Sequence, residues 1–407
     1  MNTVTVSARN ELSLPARAPA SARAVFRLLQ QLRHGSLTLS LPDGTVQTVG
    51  DGQGPHVSLH LHNWKPFKAA LKSGDIGFSE SYLAGDWTTP QLPALLELLA
   101  ANRQALDEVI HGSWLGRLAY RLRHLFNRNT RSNSRKNIHA HYDLGNAFYR
   151  LWLDGTMNYS SGLFLGNAQQ DMQQAQHAKV RRALHMAGVR RGHRVLEIGC
   201  GWGALAEKAT QEFGAHLTGV TLSTEQLAWA QERLAALGLA HQADLRLQDY
   251  RDIHDGPFDA ICSIEMLEAV GQEYWPTYFQ SVARLLKPMG RACIQTIVIR
   301  NELFDRYIRS TDFIQQYIFP GGCLPSPQAF KREAQAAGLK LVDEFHFGRD
   351  YAETCRRWRA EFLARQDDVL ALGFDERFMR IWDFYLSYCE AGFEAGDIDV
   401  VQYTLSR

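Results

Sequence analysis

Several classifying features are scarce or missing from this chain. Its 407 residues hold six cysteines, namely Cys200, Cys262, Cys293, Cys323, Cys355 and Cys389, and no two have C-x-x-C spacing. That argues against a zinc ribbon or a disulfide frame and predicts reduced thiols in a cytoplasmic protein. Net charge is only +1, from 44 Lys and Arg against 43 Asp and Glu, so no global field favours nucleic acid. No apolar run approaches the roughly 18 residues that span a bilayer. The opening MNTVTVSARNELSLPARAPA lacks the apolar segment of a secretory signal. A chain of this length is expected to form roughly two domains.

The strongest pattern is residues 194–206, RVLEIGCGWGALA. Val195, Leu196 and Ile198 suit a strand buried on both faces. The run stops at Gly199, Gly201 and Gly203, and a helix-forming segment follows to residue 213. A strand, a glycine turn and a helix start present backbone N–H groups to a ligand. The spacing lacks the third glycine of the dinucleotide fingerprint, and no Gly-Lys-Ser/Thr follows, which disfavours a P-loop. Further strands are expected at 216–222, 244–248, 258–264, 292–297, 340–348 and 398–405. Helices are expected at 175–187, 223–237 and 272–286, with two more between the last strands. Strands alternating with helices imply a parallel sheet with its ligand at the strand carboxyl ends.

Ahead of this α/β region the composition shifts. Residues 1–20 are rich in Ala, Ser and Pro and are expected to be disordered. Residues 21–110 read as a small α+β domain: a helix at 20–33, a hairpin around Pro42-Asp43-Gly44, an alternating run HVSLHLH, and helices at 64–71 and 92–101. His56, His60 and His62 share one face of that run. A solvated strand face explains them better than a metal site, since no Cys or carboxylate is in register. From Gly112 to Lys136 there is no acidic residue, while Trp114, Leu115, Leu118, Leu122 and Leu125 share a helical face beside seven cations. This segment, 111–136, reads either as a basic amphipathic helix docking on anionic phospholipid or as a linker helix with a solvated basic side.

Two apolar clusters flank the strands. The stretch NIHAHYDLGNAFYRLWLDGTMNYSSGLF brings Tyr142, Phe148, Tyr149, Trp152 and Tyr159 together. Such rings form either a core or a cap over a cation, each cation–π contact contributing about 0.5–2 kcal/mol. Residues 299–326 carry Ile308, Phe313, Ile314, Tyr317, Ile318 and Phe319. That insertion is either a lid with its own core or a wall for a long apolar substrate.

The run HYDLGN, YSSG, EIGCGWG, GVTLS, QDYRD, EAVG, YIFPGGCLPS, FGRDY and YLSYCEAGF, closing on DIDVVQYTLSR, resembles the cyclopropane fatty acyl phospholipid synthases and the related mycolic acid cyclopropane synthases. The resemblance covers 137–407 and implies a class I AdoMet-dependent methyltransferase, with a Rossmann-like, doubly wound sheet. The small N-terminal domain resembles the lipid-associated domain of the phospholipid enzymes. By this resemblance AdoMet (S-adenosyl-L-methionine) lies over Gly199, Gly201 and Gly203 beneath Tyr159 and Ser160. Thr221, Ser223 and Gln226 contact it, and Asp249 and Tyr250 lie near the adenine. Ser223 to Gln226 also forms a capping-box pattern that a helix start would use without any ligand.

In the family a bound bicarbonate removes the proton that follows methyl transfer to an alkene. Glu268, Ile297 and Tyr351 match residues that hold it, and Cys389 matches a terminal-helix cysteine. Ser161 stands where the family has Cys, Gln295 where it has His, and Ala269 where His adjoins the Glu. An amide gives one neutral hydrogen bond, roughly half the strength of a charged one, so the bicarbonate site is expected to be weakened. Glu268, buried among apolar residues, could then serve as base through a raised pKa. The expected activity is methyl transfer to the double bond of unsaturated acyl chains in membrane phospholipids, giving a cyclopropane or a methyl- or methylene-branched chain. The implied partner is an anionic bilayer at the inner membrane face. No metal is implied, and a homodimer is compatible with the pattern. Two competing readings are an N-methyltransferase of a small amine and an inert lipid-binding homologue.

Overall fold

The computed structural model describes residues 14–15, 17–106, 144–167 and 169–407. The chain divides into two compact units, Met1–Arg117 and Leu118–Arg407. The basic amphipathic segment lies outside the described residues, as do Tyr142 and most of the N-terminal twenty.

The first unit contains α1 (Ala20–Leu29), β1 (Ser36–Ser40), β2 (Val46–Gly50), β3 (His56–Leu61), α2 (Lys65–Leu83), β4 (Trp87–Thr88) and α3 (Leu92–Ala101). β1 and β2 form the expected antiparallel hairpin, β3 pairs parallel to β1, and the order is β2-β1-β3-β4. α2 runs twelve residues past its expected end at residue 71, breaking at Gly74. Its second half is anchored by fully buried Trp87, which stacks on Phe78 at 4.4 Å and donates from Nε1 to Ser81 Oγ at 3.0 Å. Local periodicity does not carry that contact. The three histidines meet hydroxyls on neighbouring strands: His56 Nδ1 with Ser36 at 2.7 Å, His60 Nδ1 with Ser40 at 3.1 Å, His62 Nε2 with Thr88 at 3.1 Å. Among the described residues no group of three metal-ligating side chains could hold an ion.

The second unit is a seven-stranded sheet of order β10-β11-β9-β8-β5-β6-β7. Its strands are β5 (Arg194–Ile198), β6 (His216–Thr221), β7 (Ala243–Leu247), β8 (Phe258–Ile264), β9 (Leu286–Ile299), β10 (Lys340–His346) and β11 (Ile398–Ser406). β5 to β9 pair in parallel, and β11 lies antiparallel to both β9 and β10. Alternation along β5 sends Val195 into one buried cluster and Leu196 and Ile198 into the other, as a two-faced strand requires.

The helices are α4 (Asn146–Tyr149), α5 (Met172–Met186), α6 (Ala204–Gln211), α7 (Thr224–Ala236), α8 (Trp275–Leu285), α9 (Asn301–Tyr307), α10 (Phe313–Tyr317), α11 (Pro327–Ala336), α12 (Gly348–Ala364), α13 (Gln366–Ala371) and α14 (Glu376–Glu394). Three helices, rather than the expected two, separate β10 from β11. Leu372, Gly373 and the capping Asp375 at the start of α14 divide that stretch. β9 begins six residues before its expected start at 292. α7 carries half of the expected capping box: Ser223 Oγ accepts from Gln226 N at 3.2 Å, while the Gln226 side chain turns away to Thr221. No described helix is long and apolar enough to cross a membrane.

Buried Asn102 ties the start of β1 to α3. Its Oδ1 accepts from the N–H groups of Arg33 and His34, and its Nδ2 donates to His34 O and Leu98 O. Asn102→Ala removes the side-chain partner of Arg33 N–H, His34 N–H and His34 O, while Leu98 O keeps the Asn102 N–H, and is expected to cost about 2–3 kcal/mol. The check is the denaturant midpoint of the first unit; an unchanged midpoint would contradict the assignment.

Candidate active site

β5 ends where the chain must bend sharply to start α6. Gly199 and Gly203 both have φ of +84°, a left-handed region open to glycine at little cost. A Cβ on Gly199 would sit 2.9 Å from Met266 Cγ, and one on Gly203 would sit 2.9 Å from Ala230 Cβ. The bend therefore keeps glycine at these two positions and opens on a cavity at the strand carboxyl ends. Tyr159 and Ser160 line it from the segment before α5, Gly199 and Gly201 from the bend, and Thr221 and Gln226 from the β6–α7 turn. Asp249 and Tyr250 line it after β7. Gly203 and Ser223 are not in its wall; they cap α6 and α7.

The cavity suits a cationic cofactor with an amino group and hydroxyls. Glu197, next to last in β5, lines it with a buried Oε2 that has no hydrogen-bond partner. Burial pushes that carboxyl well above its ordinary pKa, a cost that a cationic ligand would relieve. Trp202 also lines the cavity, and its Nε1 donates to Asn146 Oδ1 at 2.7 Å, joining α4 to the glycine bend. Of the expected aromatic cap, Tyr159 reaches the cavity. Phe148, Tyr149 and Trp152 are buried core beneath it, with Tyr149 5.4 Å from Tyr159 ring to ring. Tyr159 OH meets Tyr385 OH at 2.7 Å, and Phe319 of the insertion stacks on the Tyr159 ring at 6.3 Å. Phe313 in α10 instead packs on Phe384 of α14, so the insertion supplies both a small core and a contact to the cap.

A polar cluster at the cavity wall is centred on Glu265, which follows β8 directly. It is not glycine, yet its φ is +48°, a strained setting that surrounding contacts must hold. Its Oε1 accepts from Ser161 N at 3.0 Å and from Gln295 Nε2 at 2.7 Å, and its Oε2 accepts from Tyr351 OH at 2.6 Å. Ser161 Oγ turns aside to Gly162 O at 2.8 Å, so Ser161 contributes its backbone alone. Three groups expected around bicarbonate are thus bonded to a carboxylate of the chain itself. Glu268 takes the fourth: its Oε1 accepts from Ile297 N at 2.5 Å and Thr296 Oγ1 at 3.0 Å, and its Oε2 is buried without a partner. With these donors engaged, the residues present do not fit a separate bicarbonate. Cys389, in α14, is a free thiol whose pKa is raised by burial and then by Asp312 and Glu265.

Electrostatics separate the two glutamates. Burial raises the Glu265 pKa, opposed by the ammonium of Lys179 and the three donors. Glu268 is pushed up to about 8, by burial first and then by Glu265, so near pH 7 it is chiefly protonated. Lys179, fully buried in α5, donates to Ser160 Oγ and, at 3.4 Å, to Asn158 Oδ1. Burial draws its pKa down to about 8 against the pull of Glu265, Asp154 and Glu197. Glu265 and Lys179 stand outside every motif named above, and Glu197 opens EIGCGWG without being singled out there. A charged residue at the carboxyl end of a buried parallel strand is itself a signal for the two glutamates; no local pattern marks the lysine.

The family model described as mycolic acid cyclopropane synthetase matches residues 129–403. A tuberculostearic acid methyltransferase, UfaA1, of Mycobacterium tuberculosis is 41% identical, with 96% of this chain and 92% of that one covered. A cyclopropane-fatty-acyl-phospholipid synthase of Escherichia coli is 33% identical over 88% of this chain and 89% of its own. Among solved structures, the cyclopropane synthase MmaA2 of Mycobacterium tuberculosis superposes with a TM-score of 0.63 at 29% identity, covering 67% of this chain and 98% of that one. The mycolic acid cyclopropane synthase CmaA1, complexed with SAH and CTAB, gives a TM-score of 0.63 at 32% identity, with 67% and 98% covered. Sheet order, glycine bend and these matches agree: the chain belongs to the mycolic acid cyclopropane synthetase family of AdoMet-dependent methyltransferases.

Proposed function

We propose that this enzyme methylates the double bond of unsaturated acyl chains in membrane phospholipids. In this reading Glu265 takes the place of bicarbonate as proton acceptor, and the product is a methylene-branched chain. The observation that carries the reading is the Glu265 carboxylate bonded to Ser161 N, Gln295 and Tyr351. Relatives named for cyclopropane-fatty-acyl-phospholipid synthesis and for tuberculostearic acid methylation support the substrate class.

AdoMet, when bound, supplies an electrophilic methyl group on a sulfonium. The residues that would hold it are Gly199, Gly201, Thr221, Gln226, Asp249 and Tyr250, with Glu197 toward its amino end. Tyr159 and Ser160 cover the reacting centre and exclude water. The alkene π pair forms the new C–CH3 bond, leaving a cation on the neighbouring carbon. A hydride then shifts from the methylated carbon to that centre, and Glu265 takes a proton from the new methyl, leaving C=CH2 and a protonated Glu265. Taking the same proton before the shift would close a cyclopropane ring. Three donors spread the charge of Glu265 and temper the rise in proton affinity that burial causes, which favours the later removal. Glu268, protonated near pH 7, puts no second negative charge beside Glu265. Reduction to a methyl branch would need a separate hydride donor.

The basic segment 112–136 would hold the enzyme at an anionic bilayer surface on the cytoplasmic side. Its cations and apolar stripe suit that interface, and the six free thiols suit a reducing compartment.

Gly199→Val puts atoms where Met266 and the cofactor lie and is expected to weaken AdoMet binding at least about tenfold by calorimetry; an unchanged affinity would dissociate the bend from the cofactor. Glu265→Gln is expected to keep AdoMet affinity and to lower turnover by about 10²–10⁴. Mass spectrometry of an expressing host's lipids should then show no acyl chain gaining a methylene unit, and wild-type-like gain would contradict the base assignment. In the wild type, activity needs ionised Glu265, whose pKa is raised. Turnover should therefore fall, as pH is lowered, at a pH above the usual glutamate value of about 4.3. Vesicles of anionic phospholipid should co-sediment the enzyme in low salt and release it in high salt, since surface attraction is screened over about 8 Å at physiological ionic strength. Salt-independent binding, or none, would remove the electrostatic reading.

A further inference from the structure

Gln295 can serve Glu265 only if its amide presents the nitrogen, and a buried relay decides that. Gln295 in β9 and Gln402 in β11 are paired across the sheet and are both fully buried. Arg182 of α5 donates from Nη1 to Gln402 Oε1 at 2.7 Å. A guanidinium has donors and no acceptor, so the atom of Gln402 facing it must be oxygen. The Gln402 nitrogen then faces inward, donating to the Lys179 carbonyl at 3.2 Å and to Gln295 Oε1 at 3.0 Å. With its oxygen so engaged, Gln295 must turn its nitrogen to Glu265 Oε1, at 2.7 Å. The far end is anchored too: Arg182 Nη2 pairs with Asp343 Oδ2 at 2.8 Å, and the guanidinium lies 4.0 Å from the Phe345 ring centre. Every amide in the chain has one permitted orientation, set by a permanently charged arginine.

We propose that Gln402, oriented by Arg182, is a positioning residue for proton transfer: it fixes which end of the Gln295 amide meets the Glu265 carboxylate. This rests on Glu265 being the proton acceptor. The other groups facing that carboxylate are Lys179 from α5, Tyr351 and Cys355 from α12, Cys389 from α14 and Glu268 just after β8. Losing the Gln295 donor leaves Lys179, Tyr351 and Ser161 N to hold the charge, so the carboxylate becomes easier to protonate.

Gln402→Glu tests this. A carboxylate at 402 pairs with Arg182 but cannot donate to Gln295 Oε1. The Gln295 amide then reverses, offers its nitrogen to position 402 and turns its oxygen on Glu265. The acid limb of the pH–rate profile is expected to move up by about one unit, with AdoMet affinity unchanged and turnover on that limb about tenfold lower. Gln402→Met removes the donor to Gln295 Oε1 and leaves the charge unchanged. It is expected to move the limb the same way by less, and it carries the test if Gln402→Glu does not bind AdoMet. An unmoved limb in a variant that binds AdoMet normally, with Glu265→Gln inactive, overturns the relay and leaves the base assignment standing. Full activity in Glu265→Gln overturns the base assignment and the relay together.

Discussion

The site depends on one carboxylate whose lone pairs are met by the chain's own donors. Glu265 leaves β8 with a backbone conformation that costs most residues on the order of 1–3 kcal/mol, and three hydrogen bonds from three separate segments hold it there. Ser161 comes from the segment before α5, Gln295 from β9 and Tyr351 from α12. Each bond therefore fixes a piece of the fold as well as a charge. The strain is tolerable because charge-assisted bonds are roughly twice as strong as neutral ones.

Around that anchor the fold sorts charge by depth. Glu265 and Glu268 lie three residues apart, and burial raises both, but their neighbours temper one rise and add to the other. The first has Lys179 and three donors to keep it ionised; the second has apolar walls and the first as its neighbour, and is pushed up to about 8. Two carboxyls with separated proton affinities are a familiar division of labour in catalysis. Toward the cofactor cavity, Glu197 presents an unmatched oxygen beside the glycine bend. The chain thus places acceptors where positive charge would arrive and rings of Tyr159 and Trp202 alongside.

Much of this was legible in the chain. The strand expected at 258–264 matches β8 to the residue, and the glycines marked the bend. Eight of the ten residues expected at the cofactor line one cavity; Gly203 and Ser223 instead serve helix starts. The second half of α2 was hidden because Trp87, four residues beyond it, holds it. Glu265 was hidden because its meaning lies in partners 30 to 104 residues away. Gln295 stood out only as a departure from a histidine, and what it does instead appears once Gln402 is seen opposite it in the sheet. The basic segment, legible as either a membrane-docking helix or a linker helix, lies outside the described residues.

If a tethered carboxylate does the work of a diffusible anion, the enzyme should be indifferent to that anion. The decisive measurement is turnover of the unaltered enzyme on monounsaturated phospholipid vesicles, in buffer freed of carbon dioxide and then with bicarbonate restored. The account predicts equal rates in the two conditions. A rate that collapses without bicarbonate and returns on its addition would contradict it.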